Sequence, residues 1–344
     1  MNDETRPWPA YLGRVLLMLL LALALLWPAA AWARAATVVP VGRAVGIKLY
    51  SDGVVVVGTS EIVTDGGKVN PAKTCGLREG DVITQINATE VDTIEEVTAL
   101  LQEAGGQPVS ILALREDRQL HLTATPVFCP ADGCYKLGAW IRDSMAGIGT
   151  VTFYDPVTGA FGALGHGIND VDTALLMPLE SGSILPASVA GVKKGEVGAP
   201  GQLRGSFDTG ATLGVLTANT AHGIFGALDG ASFEGTAVET AAREEVRAGD
   251  AVIRSNISGD SVEEYAIRIL KVYPGGSVAD GRDFLIRATD PRLLETTGGI
   301  VQGMSGSPIL QDGKLVGAVT HVMVDDPTEG YGIFIGRMLA ETER

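Results

Sequence analysis

The chain has 344 residues, a net charge of −15 and 46% hydrophobic residues. This length is enough for two or three domains with sizeable cores. Acidic residues outnumber Lys and Arg by 41 to 26, and no long basic run occurs, so nucleic acid is not expected as a partner. The 45 glycines and few aromatic residues indicate many turns and strands.

The N-terminal segment carries the first signal. It is free of charge from Val15 to Ala33, with two arginines on its N-terminal side. This pattern predicts a signal peptide or an uncleaved membrane anchor. Small residues near its end offer cleavage sites, but the apolar run is almost long enough to span a bilayer, so both alternatives stay open. We expect residues 1–36 to direct export, leaving the protein membrane-anchored or secreted.

Residues 40–128 have a mixed α and β pattern. The stretch "GVVVVG" predicts a buried strand, and "DTIEEVTALLQEAGG" predicts an amphipathic helix. Thr93 and Glu96 form a capping-box pattern at its start, and Gly105 is placed to end it. The apolar residues predicted to face inward are Ile94, Val97, Leu101 and Ala104. The runs "PVSILALRED" and "QLHLTATPV" then predict a hairpin.

The stretch "NPAKTCGLREGDVITQINATEV" resembles a PDZ domain of the bacterial kind. The positions that carry the resemblance are Gly76, Leu77, Gly80, Asp81, Ile83 and Asn87. The resemblance implies a groove between a sheet edge and a helix, where a C-terminal or internal peptide adds as a strand. The candidate loop for binding a peptide carboxylate is Gly46, Ile47, Lys48 and Leu49, although an ordinary turn is an alternative there.

The three cysteines give little indication of a metal. Cys129 and Cys134 bracket "CPADGC", a tight loop that could close as a disulfide outside the cytoplasm. No second Cys or His pair stands at zinc-like spacing nearby, and Cys75 is expected to be a small buried residue. We expect no metal and no cofactor.

Residues 136–344 consist mostly of short apolar or alternating stretches between glycine-rich turns. In "EYAIRIL", Tyr265, Ile267 and Ile269 fall on one face, while Glu264 and Arg268 fall on the other. Many short strands with frequent turns predict an all-β barrel or sandwich. Helical periodicity is scarce here, and only "RMLAETER" at the C-terminus is expected to be helical.

The motif "GMSGS" places Ser305 in a glycine-framed turn. Such a turn can aim the amides of Gly303 and Ser305 at one point, which would form an oxyanion hole. A glycine-rich β-turn without catalytic function is the structural alternative. Ser307 is a weaker candidate nucleophile because it lacks a glycine-led turn of its own.

The chain has four histidines that could serve as a base. His166 stands between two glycines in "FGALGHGIND", which lets a substrate approach closely. His222 lies in a similar motif, whereas His121 and His321 lie in strand-like runs. A base at His166 before a nucleophile at Ser305 is the order found in chymotrypsin-like double barrels.

The motifs "GALGHGI" and "IVQGMSGSPILQDGKLVGAVTHV", behind a PDZ-like segment and an N-terminal apolar segment, resemble the stage IV sporulation protein B family of serine peptidases. The resemblance implies a mainly β protein: a PDZ domain over 40–128 and a chymotrypsin-like double β-barrel over 136–344. It further implies His166 as general base, Ser305 as nucleophile and Asp290 as the acidic partner. A turn residue before Pro291 is the structural alternative for Asp290.

The resemblance also implies a role in sporulation signalling. The protease would cleave the extracytoplasmic part of a membrane protein between the mother-cell and forespore membranes, and would cleave itself. Cleavage would release an intramembrane protease and activate a late sigma factor. Two alternatives are an envelope quality-control protease of the high-temperature-requirement type, which usually has its PDZ domain last, and a non-catalytic PDZ adaptor. Gly299 stands where trypsin-like enzymes have an acid, so a preference for Lys or Arg is not supported.

Overall fold

The computed structural model describes residues 36–116, 118–273 and 281–342. From Thr37 onward the chain folds as one compact, mainly β unit. The segment predicted to direct export, up to residue 35, lies outside the described residues. Within the described ranges, no helix is both long enough and apolar enough to cross a membrane.

The described chain up to Ala124 contains the PDZ-like elements. In order, they and the preceding strands are β1 (Thr37–Pro40), β2 (Ala44–Thr59), β3 (Ile62–Thr64), β4 (Gly67–Val69), α1 (Pro71–Cys75), β5 (Val82–Ile86), β6 (Thr89–Glu90), α2 (Ile94–Ala104), β7 (Val109–Arg115) and β8 (Arg118–Ala124). The predicted capping box of α2 is confirmed, because Thr93 and Glu96 each bond the other's backbone amide. Val97 and Leu101 are buried against the sheet, and Gly105 ends the helix in a left-handed conformation.

The middle of the chain completes a first barrel. Its elements are β9 (Val127–Cys129), β10 (Cys134–Lys136), β11 (Ala139–Tyr154), β12 (Ala160–Ala163), β13 (Ser181–Lys193), β14 (Gln202–Phe207), β15 (Gly214–Thr220), β16 (Gly223–Leu228) and β17 (Val238–Glu239). β11 pairs with β12, β12 with β16, β16 with β15, β15 with β13, β13 with β2, and β2 with β11 again. These pairings close a ring.

The C-terminal part forms a second closed barrel. Its elements are a 3₁₀ turn (Arg243–Glu245), β18 (Gly249–Ser258), β19 (Ser261–Val272), β20 (Phe284–Ala288), α3 (Pro291–Thr297), β21 (Pro308–Gln311), β22 (Lys314–Val322), β23 (Glu329–Phe334) and α4 (Ile335–Thr342). The predicted alternation in β19 is confirmed, since Tyr265, Ile267 and Ile269 are buried in this barrel's core. The two barrels match the double β-barrel that the resemblance implies.

The PDZ-like part is inserted at the far end of a two-stranded ribbon. β2 and β11 pair antiparallel from Ala44 with Thr150 to Thr59 with Ala139. The first half of β2 also pairs with β13 in the barrel, and its second half pairs with β5 in the PDZ-like sheet. The predicted PDZ range of 40–128 is therefore too wide at its start, because its first strand segment lies in the peptidase barrel.

Helix α3 was not expected from the sequence. It begins after Asp290, whose side chain accepts a hydrogen bond from the Arg292 amide, and it has Pro291 at its first position. Gly298 ends it in a left-handed conformation. An acidic cap, a proline at the first turn and a closing glycine are ordinary helix signals. With seven residues, the helix is too short to show clear apolar periodicity.

Candidate active site

Ser305 lies in a tight turn between α3 and β21 of the second barrel. Gly303 and Gly306 on either side have φ of 96° and 95°, a backbone region that glycine adopts without strain. The amide of Ser307 donates to Met304 O at 2.9 Å, which closes the turn, and the Met304 side chain is fully buried beneath it. The half-buried Ser305 is thus presented on a rigid support.

The amides of this turn fall into two groups. Met304 N and Gly306 N donate to Val301 O and Val319 O, at 3.1 and 2.7 Å. In contrast, the amides of Gly303 and Ser305 donate to no acceptor among the described residues. Two amides left available beside a serine hydroxyl are what an oxyanion hole requires.

Ser307 is placed quite differently from Ser305. Its side chain is fully buried, and its hydroxyl donates to Ser255 Oγ at 3.1 Å. Ser307 is therefore part of the barrel interior, where no substrate reaches it.

His166 follows β12 in a sharply bent loop. Leu164 and Gly165 before it both adopt left-handed conformations, with φ of 68° and 70°. The Nδ1 atom of His166 lies 2.8 Å from Gly167 O. A carbonyl oxygen only accepts hydrogen bonds, so Nδ1 carries the proton and Nε2 has the lone pair that a general base needs. Burial lowers the pKa of His166, although the bond to Gly167 O opposes the shift.

The structure brings the loops of His166 and Ser305 into contact. Leu164 lies against Gly306 so closely that a Cβ added to Gly306 would stand 2.6 Å from Leu164 N. Within the described residues, no hydrogen bond joins the Ser305 hydroxyl to the His166 ring. The site therefore has its two loops assembled, with the nucleophile and the base not yet bonded to each other.

Sequence reasoning missed Thr150 and assigned His321 only to a strand-like run. The ring of His321, on β22, packs against that of His166 with centroids 5.4 Å apart. Thr150, on β11, bonds to both loops of the site. Thr150 stands in no quoted motif, whereas His321 lies near the end of the motif that contains Ser305. The strand pairing of the folded chain brings both residues to the site.

Asp290 is not brought to His166. Both of its carboxylate oxygens bond to Arg292, and Oδ2 also accepts from Ala266 N. The Arg292 hydrogen bonds lower the pKa of Asp290 to about 2. Here Asp290 serves as the cap of α3, and the Nδ1 atom of His166 is bonded to Gly167 O in the position where a triad acid would bind.

The prediction that Gly46, Ile47, Lys48 and Leu49 bind a peptide carboxylate is wrong. These residues lie in the middle of β2, which is paired on both edges. One edge bonds to residues 145–148 of β11, and the other bonds to residues 182–185 of β13. With no free edge, a peptide cannot add here as a strand.

A cavity of about 540 Å³ lies instead between α2 and the start of β11. The helix contributes an apolar wall that includes Val97 and Leu101, and residues 136–141 form the facing wall. Residues 139–141 pair with β2 on one edge, and no strand among the described residues pairs with the other edge. The amides of Leu137 and Gly138 at the end of the cavity also donate to no described acceptor.

Gly299 lies six residues before Ser305. It has φ of 143°, and an added Cβ would stand 2.1 Å from Pro327 O. The backbone therefore leaves no space for an acidic side chain at this position.

Comparison with known proteins gives two family matches. Residues 133–339, more than half of the chain, match the SpoIVB peptidase S55 family, and residues 62–115 match a PDZ domain. Among curated proteins, the zinc metalloprotease RasP of Shouchella clausii is 41% identical over 80 residues. That match covers 23% of this chain and 18% of RasP, so the chain spans under a fifth of that relative's length.

Solved structures are similar over parts of the chain. The PDZ domain of the SdrC-like protein from Listeria monocytogenes is 22% identical, covering 26% of this chain and 87% of its own, with a TM-score of 0.22. The active form of the Rv3671c protease from M. tuberculosis is 16% identical, covering 57% and 72%, with a TM-score of 0.33. On the family match over residues 133–339, this chain belongs to the SpoIVB peptidase S55 family and is a serine endopeptidase with a PDZ domain.

Proposed function

We propose that Ser305 is the nucleophile and His166 the general base of this peptidase. The observation that carries the proposal is the Ser305 turn, with two unpartnered amides, in contact with the loop that holds His166. Ser305 Oγ attacks the peptide carbonyl carbon while His166 Nε2 takes its proton, and the amides of Gly303 and Ser305 bind the oxyanion. His166 then gives the proton to the leaving amine, and water hydrolyses the acyl-enzyme.

Gly167 O takes the orienting role in this proposal. It fixes the tautomer of His166 through Nδ1, as an acid does in a triad. The family resemblance implies Asp290 for that role, but in the described geometry Asp290 is held by Arg292. We therefore propose a Ser305–His166 pair oriented by a backbone carbonyl.

A peptidyl phosphonate, which modifies activated serines, tests this assignment. We expect the adduct on Ser305, with labelling and turnover lost in Ser305→Ala and turnover falling about a million-fold. Ser307→Ala is the matched control, since it removes a serine two positions away and should keep the label. A protein that cleaves a peptide but carries the adduct elsewhere would refute the assignment.

We further propose that the PDZ-like part binds the C-terminal segment of a peptide in the cavity between α2 and residues 136–141. A peptide would add to the free edge of residues 139–141, with its carboxylate on the amides of Leu137 and Gly138. Two acids line the cavity, and each has a cationic partner: Asp132 pairs with Lys136 at 2.8 Å, and Glu61 pairs with Lys68 at 3.6 Å. The cavity and the unpartnered amides support this site.

A pool of fluorescent hexapeptides ending in Val, Leu or Phe tests the groove. All binding is measured in Ser305→Ala protein, so that the peptides are not cleaved during the measurement. Thr98 is exposed and lines the cavity, so Thr98→Tyr should weaken binding at least tenfold without unfolding α2. Ala99→Tyr, on the next exposed position outside the cavity, should bind as the parent does. Equal binding by both variants, or by the C-terminally amidated pool, would contradict the site.

The cellular role that we propose is sporulation signalling outside the cytoplasm, with the N-terminal segment as membrane tether and the extracytoplasmic part of a membrane protein as substrate. Family membership and the motif resemblance support it. In an endospore-forming bacterium that lacks its own family member, this chain should restore a late sigma-factor reporter, and Ser305→Ala should not. Failure of the unmodified, secreted and active chain to restore the reporter would favour the quality-control alternative.

A further inference from the structure

Thr150 is a buried polar residue that touches both loops of the active site. It lies on β11 and is 1% exposed. Its hydroxyl donates to Gly303 O at 2.7 Å, and its amide donates to Ser305 O at 3.2 Å. Its carbonyl accepts from Leu164 N at 3.1 Å, two residues before His166. All three polar groups of this one residue are therefore used to hold the site.

These bonds fix two peptide planes of the nucleophile turn. The Gly303 and Ser305 carbonyls point toward Thr150, while the amides in the same planes, of Met304 and Gly306, point toward Val301 O and Val319 O. The plane that carries the Ser305 amide lies between these two planes. Because both flanking peptide planes are held by hydrogen bonds, the Ser305 amide cannot rotate away from the oxyanion position unless those hydrogen bonds break.

The same residue sets the spacing of the two loops. The loop of His166 is bonded to the Thr150 carbonyl, and the loop of Ser305 is bonded to the Thr150 amide and hydroxyl. Reaction rates depend on such spacing, because a displacement of about 1 Å can cost a hundredfold.

We propose that Thr150 is a positioning residue for catalysis, acting through the Gly303 and Ser305 carbonyls on the oxyanion hole. The inference rests on the proposed roles of Ser305 and His166. It assigns to the Thr150 hydroxyl a function that the amide alone cannot perform, because only the hydroxyl reaches Gly303 O.

Thr150→Val tests the proposal, since it keeps the β-branched shape and removes only the hydroxyl. We expect kcat to fall about 10- to 100-fold with KM nearly unchanged, which is less than the loss of a direct oxyanion donor. Affinity for a peptide aldehyde, which forms a tetrahedral adduct, should fall by a similar factor. Thr150→Ser keeps the hydroxyl and should restore kcat to within about threefold of the parent.

Thr152→Val is the matched control. Thr152 lies on the same strand and is fully buried, and its hydroxyl has no hydrogen-bond partner among the described residues. This variant should keep kcat and the aldehyde affinity. Rates are compared per folded molecule, so a variant that only loses stability would not count as support for the positioning role.

Unchanged kcat in Thr150→Val, or failure of Thr150→Ser to restore it, would overturn the proposal. Activity that persists in Ser305→Ala would instead overturn the underlying assignment of the nucleophile. The two failures are therefore distinguishable.

Discussion

The ring of His166 packs against the ring of His321, with centroids 5.4 Å apart and planes inclined by 39°. His166 is thus enclosed on one side by a second imidazole and bonded at Nδ1 to Gly167 O. A proton added to Nε2 would place a cation in this enclosed position. Burial accordingly lowers the pKa of His166 from its ordinary value of 6.5.

The pH dependence of kcat/KM should reflect this lowered pKa. Because the base must be neutral, we expect the acid limb to have an apparent pKa below 6.5. Rates measured from about pH 5 to 8 would show it. An apparent pKa above 6.5 would indicate that another group controls the limb.

The free energy of unfolding should also depend on pH through His166. Below pH 6.5 the unfolded chain binds a proton at His166 while the folded chain resists it, so the free energy of unfolding falls as the pH is lowered. In His166→Asn this contribution is absent, and stability should depend less steeply on pH. Thermal unfolding of both proteins across the same pH range gives the comparison.

Asp290→Asn separates a capping role from a triad role. Asn is as good an N-cap as Asp, so the main loss is the ion pair with the exposed Arg292. We expect stability to fall by about 1 kcal/mol and kcat to change little. A triad acid would behave differently, since replacing it by Asn costs about 10⁴-fold in kcat. Measured kcat and unfolding of the same variant decide between the two roles.

Gly306→Ala should damage both stability and activity. Gly306 has φ of 95°, and an added Cβ would stand 2.1 Å from Thr150 O. We expect a loss of about 3 kcal/mol or more, from the strained backbone and the overpacked contact together. Gly313→Ala is the control: its φ is 79° but nothing lies within 4 Å, so only about 1 kcal/mol should be lost.

Cys129 and Cys134 are expected to form a disulfide in an oxidising environment. They lie directly opposite each other on the antiparallel strands β9 and β10, a distance that a disulfide can bridge. Both are free thiols here, and Cys129 Sγ bonds to Asp132 Oδ2 at 3.0 Å. Mass measurement after alkylation should find Cys75 modified and the other two protected until reduction.

Local features of the fold were predictable from the sequence. The capping box at Thr93 and the alternation around Ile267 depend on neighbours within a few residues, and both are confirmed. The turn at Ser305 was also predictable, because glycines on both sides indicate positive φ. Each of these features depends on chemistry that a short stretch of sequence contains.

Features that depend on long-range pairing were not predictable. The stretch Gly46 to Leu49 resembles a binding loop locally, yet β13, far along the chain, covers its second edge. Asp290 was assigned through a family resemblance, and only the folded chain shows Arg292 bonded to it. Thr150 and His321 likewise reach the site through strand register, which the sequence does not state.

The ribbon of β2 and β11 has a consequence for how this protein can be divided. A fragment that starts at residue 136 lacks β2, so its first barrel would be left open between β11 and β13. Joining Thr59 to Ala139 through a short turn removes the PDZ-like part while keeping β2, and it makes the ribbon an ordinary hairpin. The peptidase and the PDZ-like part are therefore not separate consecutive segments, because the strands β2 and β11 belong to both.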